Sequence, residues 1–177
     1  MSPDSRFKSS RSHAPETDSP HVGNTYVPFR RVGDLVFVSG QLPRVEIDGT
    51  VDVIGGKAGD TLKTCEAKHA ARICGLSILA VLADAIGSLN KVAAVVRVEG
   101  FVNSAGHFSD HSEVINGCSD LFLEVFGAEK GSHSRTAVGC RSRKAQPWKY
   151  QRYFRYTTRV APQNSAVLLR INYLLVE

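Results

Sequence analysis

The first alternation of apolar and polar positions runs through Tyr26-Val-Pro-Phe-Arg-Arg-Val32, breaks at Gly33-Asp34 and resumes in Leu35-Val-Phe-Val-Ser39. Two short β-rich runs joined by a two-residue Gly-Asp turn predict a hairpin. Gly40-Gln-Leu-Pro43 closes the second strand, because Pro43 has no N–H to give to a ladder. Residues 44–59 hold Asp48-Gly49 and Gly55-Gly56 and read as a short hairpin or loop. The period then lengthens. Leu62, Ala70, Ile73, Leu76, Leu79, Leu82, Ala83 and Ile86 recur at helical spacing from about Thr61 to Ile86, with Asp60 the expected N-cap and Gly87 the stop. Val92–Val102 is dense in β-branched residues, as a strand covered on both faces is. A second helix starts near Asp110, where Asp110-x-x-Glu113 has capping-box spacing, and is expected to end at Gly127. Its buried face would be Val114, Cys118, Leu121, Phe122 and Val125. Ser134–Gly139 is a short strand. Over Ser165–Glu177 the alternation of Val167, Leu169, Ile171, Tyr173 and Leu175 predicts a last strand, placed at a sheet edge. This order predicts an α+β fold in which two helices cover one face of a mixed sheet.

Composition changes the picture at the two ends. Residues 1–22 contain little that is apolar beyond Phe7 and read as a disordered leader. The formal charge of +5 is a local effect: residues 1–140 carry 14 basic against 16 acidic side chains, and residues 141–177 carry 8 against 1. All 15 glycines lie at or before Gly139, while 6 of the 14 aromatics fall in the last fifth of the chain. Such a break is what a segment acquired in place of a final strand, or read in another frame, would leave. Residues 23–139 are therefore taken as the domain and 140–177 as a basic, aromatic tail. The apolar stretch Ile73–Ile86 is interrupted by Ser77 and Asp84, so no membrane span is expected. The first residues have no apolar signal core, and the four cysteines include no Cys-x-x-Cys pair, which together predict a reducing, cytoplasmic setting.

Few residue patterns carry chemistry by themselves. His107 and His111, with Asp110 and Glu113, superficially suggest a metal site, but they flank a helix start and no third ligand is spaced for one, so no metal is expected. Cys65, Cys74 and Cys118 fall on helices and read as small packing residues. Gly55-Gly56-Lys57 lacks the spacing of a phosphate loop. Arg141–Arg159 has seven basic residues interleaved with aromatics and is the one feature favouring nucleic acid; a tail with incidental charge is the reading preferred.

Val36-Phe-Val-Ser-Gly-Gln-Leu-Pro43, the long helix, Val95-Val-Arg-Val-Glu-Gly-Phe-Val-Asn103, Val114-Ile-Asn116 and His133-Ser-Arg-Thr-Ala-Val138 together resemble the RidA/YjgF family, also called endoribonuclease L-PSP. Gly-Phe-Val-Asn-Ser-Ala and Val-Ile-Asn-Gly-Cys-Ser-Asp-Leu resemble its chorismate-mutase-like branch. The resemblance covers roughly residues 23–139. It implies a chorismate-mutase-like fold, a homotrimer with clefts between subunits, and cofactor-free hydrolysis of reactive enamines and imines to a 2-keto acid and ammonia. It places Arg135 as the carboxylate-binding arginine, Tyr26 and Asn116 in the cleft, and Ser39-Gly40 in the strand-end signature; Arg135 and Asn116 would be the catalytic pair. A guanidinium suits a small carboxylate because it grips both oxygens through parallel charge-assisted hydrogen bonds.

Two departures bear on turnover. Deaminating members usually carry a cysteine two residues after the arginine, where this chain has Ala137, and a glutamate in the last strand, where the only late acid is Glu177. Losing a proton handler would remove roughly 10²–10⁴-fold of rate. The expectation is thus a protein that binds small 2-keto or 2-imino acids and could hydrolyse reactive imines, with a non-catalytic ligand-binding trimer and an RNA-binding or RNA-cleaving protein as alternatives.

Overall fold

The computed structural model describes residues 1–10, 26–140 and 165–171, the last by backbone alone. The rest of the expected leader, the basic run 141–159 and residues 172–177 of the expected last strand lie outside the described residues.

The predicted hairpin forms as β1 (Phe29–Val32) and β2 (Leu35–Val38), antiparallel, with Gly33 at φ 60° in the turn. Residues 44–53 form a second hairpin, β3 (Arg44–Ile47) and β4 (Thr50–Val53). Its turn places Asp48 and Gly49 at φ 51° and 75°, which matches the mirror-image turn that favours Asp-Gly. The first long helix is Thr64–Ile86 and begins later than the sequence suggests. Asp60 does not cap it. A compact turn occupies 57–62, with the Thr61 hydroxyl accepting from the Lys57 N–H at 2.7 Å, and Glu66 accepts the Lys63 N–H at 2.8 Å instead. Gly87, at φ 78°, ends the helix as expected and donates its N–H to the Ala83 carbonyl.

A short 3₁₀ turn over Leu89–Lys91 leads into β5 (Val92–Asn103). The helix His111–Gly131 follows, then β6 (Ser134–Cys140) and β7 (Ser165–Ile171). The chain also forms a helix at Pro3–Ser10, so in chain order the helices are α1 (Pro3–Ser10), α2 (Thr64–Ile86) and α3 (His111–Gly131). The expected capping box at α3 is absent: Asp110 makes no side-chain cap, and Glu113 turns elsewhere. Gly127 does not end α3 but kinks it at φ 79°, ψ 169°.

The main sheet has the order β1-β2-β7-β5-β6 and is mixed, since only β1 and β2 are antiparallel. β7 is not an edge strand. It lies between β2 and β5, parallel to both, and so joins the N-terminal hairpin to the rest of the sheet. α2 and α3 pack together on one face, over Val36, Val38, Val98 and Val102. α2 is covered on almost every side, with Ala67, Ala70, Ala71, Cys74, Ile78, Leu79 and Leu82 fully buried, rather than along one stripe. Its length and hydropathy would suit a membrane crossing, yet 67% of that window is buried inside the fold. It is the core helix.

α1 corrects the expectation of a disordered leader for the first ten residues. Phe7 is buried against the helix pair. The Asp4 carboxylate accepts from the Ser88 hydroxyl (2.7 Å), the Leu89 N–H (2.8 Å) and the Asn90 amide (2.7 Å), and so fastens α1 to the 3₁₀ turn. Arg6 donates to the Glu124 carbonyl at 3.1 Å. Phe7→Ala is expected to cost about 2 kcal/mol, below the roughly 3–5 kcal/mol usual for a buried phenylalanine because a short terminal helix can settle into the gap. Urea unfolding checks this, and a midpoint unchanged from the parent would show that α1 adds nothing to the core.

Candidate functional site

Strand β6 is the edge next to β5, and its register sets which residues face the helices. Arg135 pairs with Val98 and Ala137 with Gly100, on the side covered by α3. Arg135 therefore points along the helix-covered face, where one turn of α3 meets it. Its Nη1 donates to Asn116 Oδ1 at 2.7 Å and to the Ser119 hydroxyl at 3.1 Å. Among the described residues, no hydrogen bond is made by Nε or Nη2, which leaves the outer edge of the guanidinium open to a ligand.

Both acceptors are themselves held. Asn116 Nδ2 donates to Glu113 Oε2 at 2.8 Å, and the other Glu113 oxygen accepts from Lys68 Nζ at 2.7 Å. The Asn116 amide oxygen is thereby turned toward Arg135. The hydrogen bond and charge of Lys68, then the Asn116 N–H and the charge of Arg135, hold the Glu113 carboxyl below the usual carboxylate range. Glu113 is thereby favoured in its ionised form beside Arg135. On the other branch the Ser119 hydroxyl meets His133 Nε2 at 2.9 Å, and His133 Nδ1 lies 2.7 Å from the Gly131 carbonyl. Burial, opposed by the Gly131 hydrogen bond and aided by the charge of Arg135, keeps the His133 pKa below the ordinary imidazole value.

Of the five residues singled out from the sequence, Arg135 and Asn116 are in direct contact. Ser39 follows β2, where its hydroxyl donates to the Val27 carbonyl at 2.6 Å and its N–H to the Pro28 carbonyl. This brings Ser39 and Gly40 to the segment that carries the half-exposed Tyr26. This second group is three strand intervals from β6, about 14 Å along the sheet.

Ser119, His133, Glu113 and Lys68 were not singled out as site residues. The signal for two of them, Glu113 and Ser119, was their i, i+3 spacing to either side of Asn116 on one helix face. Ala137, two residues beyond Arg135, packs against the core. His111 bonds the Ser104 hydroxyl at 3.0 Å, and His107 lines a separate open concavity of about 650 Å³ with Asp60, Lys63, Glu66 and Asp110. Among the described residues no three metal-type side chains cluster. Burial pushes the Cys74 and Cys118 thiols far up, which suits packing residues.

A mixed sheet backed by two long helices, with a guanidinium held at the β6 edge, places the molecule among α+β proteins of chorismate-mutase-like architecture. Residues 4–141 match the family described as "YjgF/chorismate mutase-like, putative endoribonuclease". The chain belongs to that family. It is 42% identical to the protein TCP17 of Trypanosoma cruzi over 114 residues, 64% of this chain and 69% of that protein. Among solved structures it is similar to Atu1372 of Agrobacterium tumefaciens, of unknown function (TM-score 0.67, 36% identity, covering 79% of this chain and 83% of that one). It is also similar to a "putative endoribonuclease" of Shewanella oneidensis (TM-score 0.69, 30% identity, covering 79% and 89%).

Proposed function

We propose that this protein is a cytoplasmic, cofactor-free homotrimer that takes small 2-keto and 2-imino acids by their carboxylate at Arg135 and hydrolyses reactive imines there. The observation that carries the reading is the guanidinium itself: Nη1 is tied to two acceptors while the Nε–Nη2 edge has no partner among the described residues. That edge has the two parallel donors that a carboxylate accepts. A ligand so fixed keeps its imine carbon at one place, and orientation of a water against it supplies much of the rate.

The trimer draws support from the separation of the two groups of residues. Tyr26, Ser39 and Gly40 can share a cleft with Arg135 only if a second copy brings them there. The sheet face opposite the helices is suited to such a neighbour, with Val32 61% and Val138 38% exposed.

Incubation with a generator of 2-aminoacrylate tests turnover: keto-acid release should accelerate over the protein-free rate. Binding of a 2-keto acid without acceleration would leave a ligand-binding trimer, in keeping with Ala137 and the absent late glutamate. The endoribonuclease description carried by the family and by the Shewanella oneidensis protein gives a second reading, RNA cleavage. RNA degradation whose binding step weakens steeply with salt would favour it over the small-acid reading.

A further inference from the structure

We propose that His133, acting through the Ser119 hydroxyl, is a positioning residue that sets the posture of Arg135 and makes anion capture sensitive to acid. This inference rests on the small-carboxylate reading of Arg135 and adds to it a device that governs when the guanidinium is presented.

The direction of every proton in the chain of contacts is fixed by its ends. The Gly131 carbonyl can only accept, so His133 Nδ1, 2.7 Å away, carries a hydrogen. Arg135 Nη1 can only donate, so the Ser119 oxygen, 3.1 Å away, accepts from it. The Ser119 hydrogen is then directed at His133 Nε2, at 2.9 Å, which must be the bare nitrogen of a neutral ring. The series therefore runs from Arg135 Nη1–H to Ser119 Oγ–H to His133 Nε2, and from His133 Nδ1–H to Gly131. Every donor has one acceptor.

Protonation of His133 breaks this order. Nε2 becomes a donor, and the Ser119 oxygen then faces two donors while its own hydrogen loses its acceptor. Ser119 is only 8% exposed, so water does not readily replace that acceptor. Two cations would also meet at one hydroxyl. The two lone pairs of the hydroxyl can take both donors, so the driving force is the repulsion between the two cations, which is relieved when Arg135 leaves Ser119 and Nη1 is held by Asn116 alone.

The surroundings of His133 contain little else that titrates. α3 presents Ser119 and the edge of the Phe122 ring, with centroids 6.0 Å apart. On β6 the facing charge is Arg135. Lys130, near the end of α3, reaches to the Val92 carbonyl, and Arg97 on β5 is engaged by Glu99 and Thr136. Lys68, Glu113 and Asp120 form the opposite branch, beyond Asn116. The sign follows from the lowered His133 pKa: the neutral ring persists somewhat below the ordinary value near 6.5, and the arrangement is lost as pH falls through the lowered one.

The test reads the two parts separately. Nitrogen-15 spectra of the ligand-free protein, from about pH 8 to about pH 5, should show His133 with its hydrogen on Nδ1 and a single titration. The Arg135 guanidinium signals should move with the same midpoint. In Ser119→Ala the Arg135 signals should no longer follow His133. Guanidinium signals that stay fixed while His133 titrates, or a His133 protonated on Nε2 in the neutral form, would overturn the proposal. With pyruvate as the probe, affinity should fall about tenfold across that range in the parent, as the guanidinium loses its Ser119 support, and less than about twofold in His133→Gln, which keeps an acceptor toward Ser119 and cannot gain a proton. Pyruvate affinity that rises in acid, from added positive charge, would overturn it as well. If pyruvate binds at no pH while the guanidinium signals follow His133, the small-acid reading fails and the coupling stands.

Discussion

Arg135→Ala is expected to weaken pyruvate binding about a hundredfold or more, with little loss of fold stability. A carboxylate gripped by two parallel N–H donors of a cation loses both on truncation, and two charge-assisted hydrogen bonds are worth roughly 3 kcal/mol together. At about 1.4 kcal/mol per tenfold, that is two decades in Kd. The structural cost is smaller because, among the described residues, the hydrogen bonds of Arg135 are those of Nη1 to Asn116 and Ser119. Losing them removes roughly 1 kcal/mol of net hydrogen bonding at a half-buried position. Arg135→Lys should recover little, since an ammonium cannot reproduce the planar fork. Calorimetric titration of pyruvate into each variant decides the matter. An Arg135→Ala protein that binds as well as the parent removes this side chain from recognition.

The second large effect is expected from Gly117→Val, a loss of roughly 3 kcal/mol of stability together with weakened ligand binding. α2 and α3 cross where Gly75 and Gly117 leave room: a Cβ at Gly75 would come 2.9 Å from Cys118 Sγ, and one at Gly117 would overlap the backbone carbonyl oxygen of Lys68. A flexible side chain could swing away from such a contact, but a carbonyl inside a helix cannot, so the helices must part. Overpacking of this kind costs roughly 1–3 kcal/mol and sometimes more, while removing glycine from a helix returns less than about 1 kcal/mol. The clash wins. Gly117 also sits between Asn116 and Ser119 on the turn that meets Arg135, so moving α3 displaces both acceptors. Urea unfolding and pyruvate titration measure the two consequences. A variant as stable as the parent would mean that the crossing is looser than its geometry implies.

Elements stabilised by their own periodicity were legible in the chain. The Gly33-Asp34 hairpin, the run ending at Gly87 and the valine-rich β5 each carry local signals strong enough to specify their type. Helix starts were less legible, because Asp60 and Asp110 have the chemistry of caps while Glu66 caps α2 at Lys63 and Glu113 is drawn to Lys68 and Asn116. α1 was missed for a related reason: a single phenylalanine in a polar octet is too little to hold a helix alone, and its stability comes from the α2–α3 pair and from the three hydrogen bonds of Asp4. β7 was recognised as a strand but misplaced, since alternation along one segment reports its own faces and says nothing of its neighbours.

At the site, the family likeness named Arg135 and Asn116 separately, and their 2.7 Å contact came only with the structure. Ser119 and His133 were within the same quoted motifs, but the helical spacing of Ser119 to Asn116 has no meaning until β6 is seen to cross α3, and His133 gave no signal. The separation of Ser39 and Gly40 from Arg135 was not visible either. Strand order, which only the folded chain reveals, determines it.

The position of β7 has a consequence for biosynthesis. The β1–β2 hairpin and the β5–β6 pair have no strand in common until residues 165–171 lie between them. A nascent chain that has delivered everything through Cys140 therefore holds two separate ribbons and an apolar α2 without its finished cover. Closure must wait until that late segment has left the ribosome. Newly made chains would depend on chaperones during this interval, and ribosomes that stall before codon 165 should release products prone to clump.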